Sequence, residues 1–127
     1  MESMFQSNVP IYLQIIAELK RRIAAGELLP GGRVASVREM AAAFGVNPNT
    51  MQRALTELER ENLLRTERTA GRFVTTDEEL ISMARAELAQ TYIEEFLRAM
   101  RGLGVTGEPV LELVRCAQEK ESGGTKQ

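Results

Sequence analysis

The stretch GVNPNTMQRAL, residues 45–55, indicates the fold more strongly than any other part of the sequence. Gly45 can adopt the left-handed backbone conformation that ends many helices. Asn47 suits the N-cap of a following helix, and Pro48 suits its first position because the N–H there needs no partner within the helix. Val46 can then place its side chain between the two helices. We therefore interpret the stretch as the turn between two packed helices rather than as a surface loop.

Amphipathic helices are predicted on both sides of this turn. Ser36 and Glu39 match a capping box, in which each side chain accepts a hydrogen bond from the backbone N–H of the other residue, and they begin a short helix that ends near Phe44. The helix after the turn, residues 48–61, repeats its apolar residues every three to four positions and keeps its polar residues on the other side. Two short helices joined in this way predict a helix-turn-helix.

Strands and a further helix complete the predicted N-terminal domain. An amphipathic helix is expected over residues 10–26, and residues 33–35 are expected to form a short strand. Two more strands, at residues 63–67 and 72–76, are separated by a turn in which Gly71 can take a positive φ, which predicts a β-hairpin. The expected fold class is therefore mainly α with a small β-hairpin wing, a winged helix-turn-helix.

Beyond the wing, residues 77–121 are predicted to form two helices that make a dimerisation region. A second capping box, from Thr76 to Glu79, begins the first helix, which ends near Gly102. Residues 122–127 are expected to be a disordered tail. The short last helix cannot cover the apolar stripe of the long one by itself, so we expect a homodimer. The stripe consists of Leu80, Ala84, Leu88, Tyr92, Phe96 and Met100.

The composition excludes several classes of function. The sequence has no histidine and a single cysteine, Cys116, so the usual zinc sites and the Ser-His-Asp and Cys-His catalytic arrangements cannot form. Cys116 is expected to be a small apolar residue packed in the last helix. No glycine-rich phosphate-binding motif occurs, and we expect no enzyme activity, no cofactor and no metal. Without a membrane span, a secretory signal or a disulfide pair, a cytoplasmic location is expected.

Charge is distributed unevenly along the chain. The net charge is −2, but residues 1–76 contain ten Lys or Arg against eight Asp or Glu, hence +2, whereas residues 77–127 contain six against ten, hence −4. The N-terminal part could therefore face phosphate groups. Because a charge of +2 is small, the positions of the arginines matter more than their number. Three of them, Arg65, Arg68 and Arg72, lie in the predicted hairpin.

With these elements in order, residues 9–76 closely resemble the DNA-binding domain of GntR-family transcription regulators. The resemblance rests on the segments PIYLQI, GELLPGGRV, SVREMAAAFGVNPNTMQRAL, ELERENLL and GRFV, and the short two-helix C-terminal part resembles the YtrA subfamily. It implies a winged helix-turn-helix over residues 8–76 that binds double-stranded operator DNA. The sequence departs from the family pattern at Ala35, often proline, at Asn62, commonly glycine, and in the wing, where one glycine is lost.

The resemblance also implies which residues touch DNA, namely Arg38, the start of the second helix of the helix-turn-helix, and the glycine region of the wing. The physical interpretation agrees, because a recognition helix enters the major groove by its N-terminal end. Arginine can pair with guanine there, asparagine and glutamine can pair with adenine, and wing arginines can enter the minor groove. The predicted DNA-binding residues are Ser36, Arg38, Asn49, Thr50, Gln52, Arg53, Arg68, Gly71 and Arg72.

Other interpretations stay open at this point. Arg53 could instead pair with Glu57 one turn later as a solvated surface residue. A winged helix that binds another protein through its acidic C-terminal helices is the competing class of function.

A homodimeric regulator would read a pseudo-palindromic operator, and repression is expected over activation because such a dimer can block polymerase. The sequence leaves open whether a small effector controls binding.

Overall fold

The computed structural model describes residues 8–125, which form five helices and three strands. The chain divides into two compact units, one ending at Leu88 and one beginning at Ala89. The expected fold class, mainly helical with a small wing, is confirmed. In chain order the elements are α1 (Ile11–Ala25), β1 (Arg33–Val34), α2 (Val37–Phe44), α3 (Pro48–Arg60), β2 (Leu64–Glu67), β3 (Gly71–Val74), α4 (Glu78–Gly102) and α5 (Glu108–Thr125).

One apolar core holds the first unit together. It is built from the buried faces of α1, α2 and α3, the strands β1, β2 and β3, and the first turns of α4. Leu19 of α1 and Met51 and Leu55 of α3 are at most 1% exposed. Each such side chain contributes about 1.5–3 kcal/mol relative to leaving it in water. This burial fixes which face of α3 points inward, and therefore which face is left for solvent.

The end of α2 and the start of α3, on either side of the turn at residues 45–47, have the predicted geometry. The Glu39 N–H donates to the Ser36 hydroxyl and the Ser36 N–H donates to the Glu39 carboxylate, both at 3.1 Å, which confirms the capping box. Gly45 ends α2 in the left-handed region with a φ of 70°. The Asn49 N–H donates to the side-chain oxygen of Asn47 at 2.7 Å, and Pro48 is the first residue of α3.

The wing is one strand wider than a hairpin. The strands pair in the antiparallel order β1-β3-β2, so that Arg33 lies opposite Phe73 and Val34 lies opposite Arg72. The predicted short strand is therefore an edge of the wing itself. Asn62, which stands where the family commonly has glycine, takes a positive φ of 65° before β2, as asparagine can.

The start of α4 differs from the prediction. The side chain of Asp77, not that of Thr76, accepts hydrogen bonds from the N–H groups of Glu79 and Leu80, at 3.0 and 3.2 Å. The capping box predicted from Thr76 to Glu79 is therefore wrong. A carboxylate next to the helix start is the better acceptor there, because its charge also interacts favourably with the helix dipole.

The first turns of α4 belong to the core of the first unit. Ile81 and Ala84 are 5% and 7% exposed, Leu80 packs against the same core, and the guanidinium of Arg85 donates to the Ala24 carbonyl at 3.0 Å. The compact unit consequently continues to Leu88, beyond the predicted boundary at residue 76. Within the protomer Ala84 is buried and Leu80 is partly buried against this core, so these two residues of the predicted dimerisation stripe pack in the first unit.

The second unit exposes much of its apolar surface. Tyr92, Ile93 and Phe96 of α4 are 51%, 50% and 39% exposed, whereas Val110 of α5 is buried. Cys116 is exposed rather than packed.

The last helix extends further than predicted. It continues to Thr125, into the segment expected to be a disordered tail. Lys126 and Gln127 lie outside the described residues. None of the helices within residues 8–125 is long and apolar enough to cross a membrane.

Candidate nucleic-acid interface

The N-terminal end of α3 presents a polar edge to solvent. Asn49, Gln52 and Arg53 are exposed and Thr50 is partly exposed, while Met51 on the opposite face is fully buried. The four predicted α3 residues thus lie together at the end of the helix that a major groove would receive. Because the buried face locks the rotation of α3 about its axis, this edge has one fixed orientation in the unit.

Two of these polar side chains are held by neighbours on adjacent turns or elements. The Gln52 amide donates to the Thr56 hydroxyl at 3.1 Å. The guanidinium carbon of Arg53 lies 3.7 Å from the centroid of the Tyr12 ring of α1, a cation–π stack. Glu57 pairs instead with Arg60, at 2.7 Å. The interpretation of Arg53 as the surface partner of Glu57 is therefore not what the structure shows.

A groove separates the N-terminal end of α2 from the wing. It measures about 570 Å³ and brings together four predicted residues, Ser36, Arg68, Gly71 and Arg72, with the side chain of Arg33. Arg33 was not among the residues predicted from the sequence. Its position follows from the pairing of β1 with β3, which places it beside the hairpin, whereas the sequence pattern predicts the strand but not the strand it pairs with.

Gly71 permits the close approach of Arg33. Its φ is 111°, a conformation that other residues rarely adopt, and a Cβ atom added there would lie 3.0 Å from Nε of Arg33. The glycine therefore serves two purposes at once: it turns the hairpin and leaves space for the guanidinium. Bound DNA could approach the backbone here as closely as the arginine does.

The three hairpin arginines have different roles. Arg72 is only 15% exposed and pairs with Glu59 of α3 at 3.2 Å, and the Thr66 hydroxyl donates to the same carboxylate. Arg72 thus ties the wing to α3 and does not present a free charge. Arg65 pairs with Glu67 beside it. Arg68 is exposed at the hairpin tip and forms no ion pair with any residue in the described range 8–125.

Positive charge surrounds the N-terminal end of α2. Arg38 is exposed on α2, and neither Arg38 nor Arg33 has an ion-pair partner within the part of the chain that the structure describes. Hydrogen bonds from the backbone and side chain of Ser36, together with the nearby charge of Arg33, lower the pKa of Glu39. Arg33, Arg38 and Arg68 are therefore the cations best placed for phosphate groups. The described residues contain no group of three or more His, Cys, Asp or Glu side chains that could hold a metal ion.

Comparison with known proteins identifies this arrangement. Residues 11–74 match the family model described as bacterial regulatory proteins, gntR family. The chain is 40% identical over 119 residues to an uncharacterized HTH-type transcriptional regulator, YhcF, of Bacillus subtilis (strain 168), covering 94% of this chain and 98% of that one. It is 32% identical over 127 residues to the HTH-type transcriptional repressor YtrA of the same organism, covering 95% and 94%.

Solved structures support the same assignment. A GntR family transcriptional regulator from Listeria monocytogenes superposes with a TM-score of 0.78 at 34% identity, over 87% of this chain and 97% of that one. AraR(DBD) in complex with operator ORX1 superposes with a TM-score of 0.53 at 29% identity, over 59% and 96%. These relatives are transcriptional regulators, and the expected resemblance to the YtrA-like regulators is confirmed. The chain belongs to the GntR family of bacterial transcriptional regulators.

Proposed function

We propose that this regulator is a repressor that binds a pseudo-palindromic operator as a homodimer in the bacterial cytoplasm. The observation that carries the proposal is the pairing of two surfaces on one rigid unit. The polar edge of α3, with Asn49, Gln52 and Arg53, suits base edges in the major groove. The groove beside the wing contains Arg33 and Arg68, which have no ion-pair partner among the described residues, and it suits the sugar-phosphate backbone or the adjacent minor groove.

Repression is favoured by the relatives and by the simplest mechanism. YtrA is a repressor by its description, and AraR(DBD) has been solved on operators. A protein that occupies DNA near a promoter represses by excluding polymerase and needs no further contact surface.

The test of repression places a duplex selected by this protein between a promoter and a reporter gene. Reporter transcription should fall when the protein is present, and increased transcription would contradict repression.

A matched pair of variants separates base reading from general charge. Arg53 lies at the exposed start of α3, whereas Arg60 lies at the far end of the same helix and pairs with Glu57. Arg53→Ala should weaken binding to the selected duplex by about 1–3 kcal/mol, the size of one bidentate base contact. Arg60→Ala should leave it nearly unchanged. Equal losses in the two variants, measured by fluorescence anisotropy, would refute the assignment of Arg53 as a base reader.

The homodimer is proposed on the second unit. The exposed side chains of Tyr92, Ile93, Phe96 and Leu97 lie within two turns of α4, and Leu111 and Leu113 are more than half exposed on α5. Contiguous apolar surface of this kind marks a protein interface. Of the stripe predicted from the sequence, Tyr92, Phe96 and Met100 stay in the proposed interface, whereas Leu88 is the last residue of the first unit. A two-fold axis through it would relate two recognition helices and so match a pseudo-palindromic operator.

Sedimentation velocity on the full chain tests the dimer. Phe96→Glu places a charge in the apolar surface, whereas Arg98→Glu places the same acid on the opposite side of α4. The unmodified chain and Arg98→Glu should sediment as dimers, and Phe96→Glu should sediment as a monomer with weaker operator binding. A monomeric unmodified chain, or a Phe96→Glu variant that remains dimeric, would contradict the proposed interface.

A further inference from the structure

The stack between Tyr12 and Arg53 joins two elements that the sequence did not connect. Tyr12 lies in the first turn of α1, and Arg53 lies on the exposed edge of α3. The guanidinium carbon lies over the ring at 3.7 Å from its centroid, which is van der Waals contact. The Tyr12 side chain is partly buried, which keeps the ring in place. An otherwise flexible arginine is thereby held against a rigid support.

The planar shape of a guanidinium determines which hydrogen-bond donors of Arg53 stay free when the Tyr12 ring contacts it. All five N–H donors of arginine point outward in the plane of the group. A ring stacked on the face of that plane uses none of them, whereas a carboxylate partner would use two and would also neutralise the charge. Glu57, the carboxylate within reach along α3, is paired with Arg60. Arg53 is therefore positioned while its donor edge stays available.

Open space lies next to the stacked pair. A surface depression of about 440 Å³ is lined by Ile11, Tyr12, Asn49, Thr50 and Arg53. It lies at the same end of α3 as the predicted base-reading residues. Arg53 therefore borders open space at the end of α3 that carries these residues.

We propose that Tyr12 is a positioning residue for DNA recognition: its ring holds the guanidinium of Arg53, with the donor edge free, for a guanine in the major groove. The inference rests on the proposed function, because it assigns a role to a residue that supports a base reader. Holding the side chain before binding lowers the entropy that binding must remove. Tyr12 should consequently affect discrimination at one base pair more than it affects general affinity for DNA.

The test uses the full chain and a duplex that it selects from a random pool. Tyr12→Phe keeps the ring, and Tyr12→Leu removes it while keeping an apolar side chain. Tyr12→Leu should weaken binding about three- to tenfold, in line with the strength of cation–π contacts, and Tyr12→Phe should bind like the unmodified chain. Binding of both to an unrelated duplex should change less than twofold, an estimate that follows from contacts to phosphate alone.

A double-mutant cycle with Arg53→Ala separates positioning from a merely structural role. In the Arg53→Ala background, Tyr12→Leu should cause no further loss of operator binding. Replacing guanines of the duplex one at a time by 7-deazaguanine, which lacks the N7 acceptor, should identify one guanine in each half-site whose effect shrinks in Tyr12→Leu. Thermal unfolding of each variant shows whether the fold is kept, and Tyr12→Met replaces Tyr12→Leu in every comparison if the latter does not fold.

Three outcomes would overturn the inference. Tyr12→Leu could bind like the unmodified chain, it could lose the same affinity in the Arg53→Ala background, or it could bind more tightly, which would mean that the ring withholds Arg53 from DNA. These outcomes differ from failure of the proposed function. If the unmodified chain enriches no sequence from the pool, operator recognition itself is refuted, whereas a well-bound operator that is indifferent to Tyr12 refutes the positioning role alone.

Discussion

Gly71→Ala is the substitution that most sharply probes the groove beside the wing. At a φ of 111°, a residue with a Cβ atom costs of order 1–3 kcal/mol of folding free energy. The new Cβ would also lie 3.0 Å from Nε and 3.3 Å from Nη2 of Arg33, so the guanidinium must move away. We expect an operator affinity about three- to tenfold lower, the size of a partly lost hydrogen bond from a charged donor.

The assay pairs urea unfolding with anisotropy measurements on a selected operator duplex. Gly26→Ala is the matched control, because Gly26 also has a positive φ, 82°, but a Cβ there meets nothing within 4 Å. Gly26→Ala should lose stability and keep its affinity for DNA. In an Arg33→Ala background, Gly71→Ala should cause no further loss of affinity. Unchanged affinity in Gly71→Ala, or an equal loss in both backgrounds, would refute the reasoning.

Three further substitutions test the scaffold of the first unit by chemical denaturation. Leu55→Ala empties a fully buried position and should cost about 2–5 kcal/mol; a loss below about 1 kcal/mol would show that the site is loosely packed. Ser36→Ala removes a helix cap and should cost about 1 kcal/mol, whereas Ser36→Thr should retain most of it. Hydrogen bonds from Arg21, and secondarily from Arg22, lower the pKa of Glu18 from 4.5 to about 2. A shift of that size corresponds to about 3 kcal/mol, which solvent screening of this partly exposed group reduces to about 1 kcal/mol. Because the folded pKa is the lower one, Glu18→Gln should be less stable than the unmodified chain above about pH 4.5, and the difference should vanish as the pH falls toward 2. A difference independent of pH would contradict this account.

Local signals predicted the helix-turn-helix well because each acts within a few residues. The cap at Ser36, the left-handed Gly45 and the Asn47-Pro48 helix start depend on nearest neighbours along the chain, and all three have the expected geometry. The same holds for Asn62, whose positive φ follows from its place between a helix and a strand. Where one residue and its immediate successors determine the backbone, the sequence alone was sufficient.

Contacts between distant residues were the part that sequence patterns could not supply. Because Arg72 lies in a cationic hairpin, the sequence predicts that it faces DNA. In the structure it forms an ion pair with Glu59, thirteen residues earlier. Tyr12 and Arg53 lie on different helices, and nothing in the spacing of either helix indicates that they touch. Arg33 lines the groove beside the wing because β1 pairs with β3.

The apolar stripe of α4 also depends on contacts that sequence patterns cannot supply. A repeat of apolar residues every four positions runs without a break from Leu80 to Met100, and the pattern predicts one stripe along α4. The structure divides that surface, because Ala84 is buried in the first unit while Tyr92 and Phe96 stay exposed. Periodicity identifies an apolar face but does not say which neighbour covers each part of it.

Selecting bound duplexes from a random pool and sequencing them shows whether this chain reads DNA as a two-fold dimer with α3 and the wing. We expect enrichment of an inverted repeat whose half-sites are separated by about one helical turn, 10–10.5 base pairs from centre to centre. We also expect affinity for the enriched duplex to fall steeply with rising salt as counterions are released. A pool that shows no enrichment, or that enriches a single half-site without a repeat, would contradict DNA reading by a two-fold dimer.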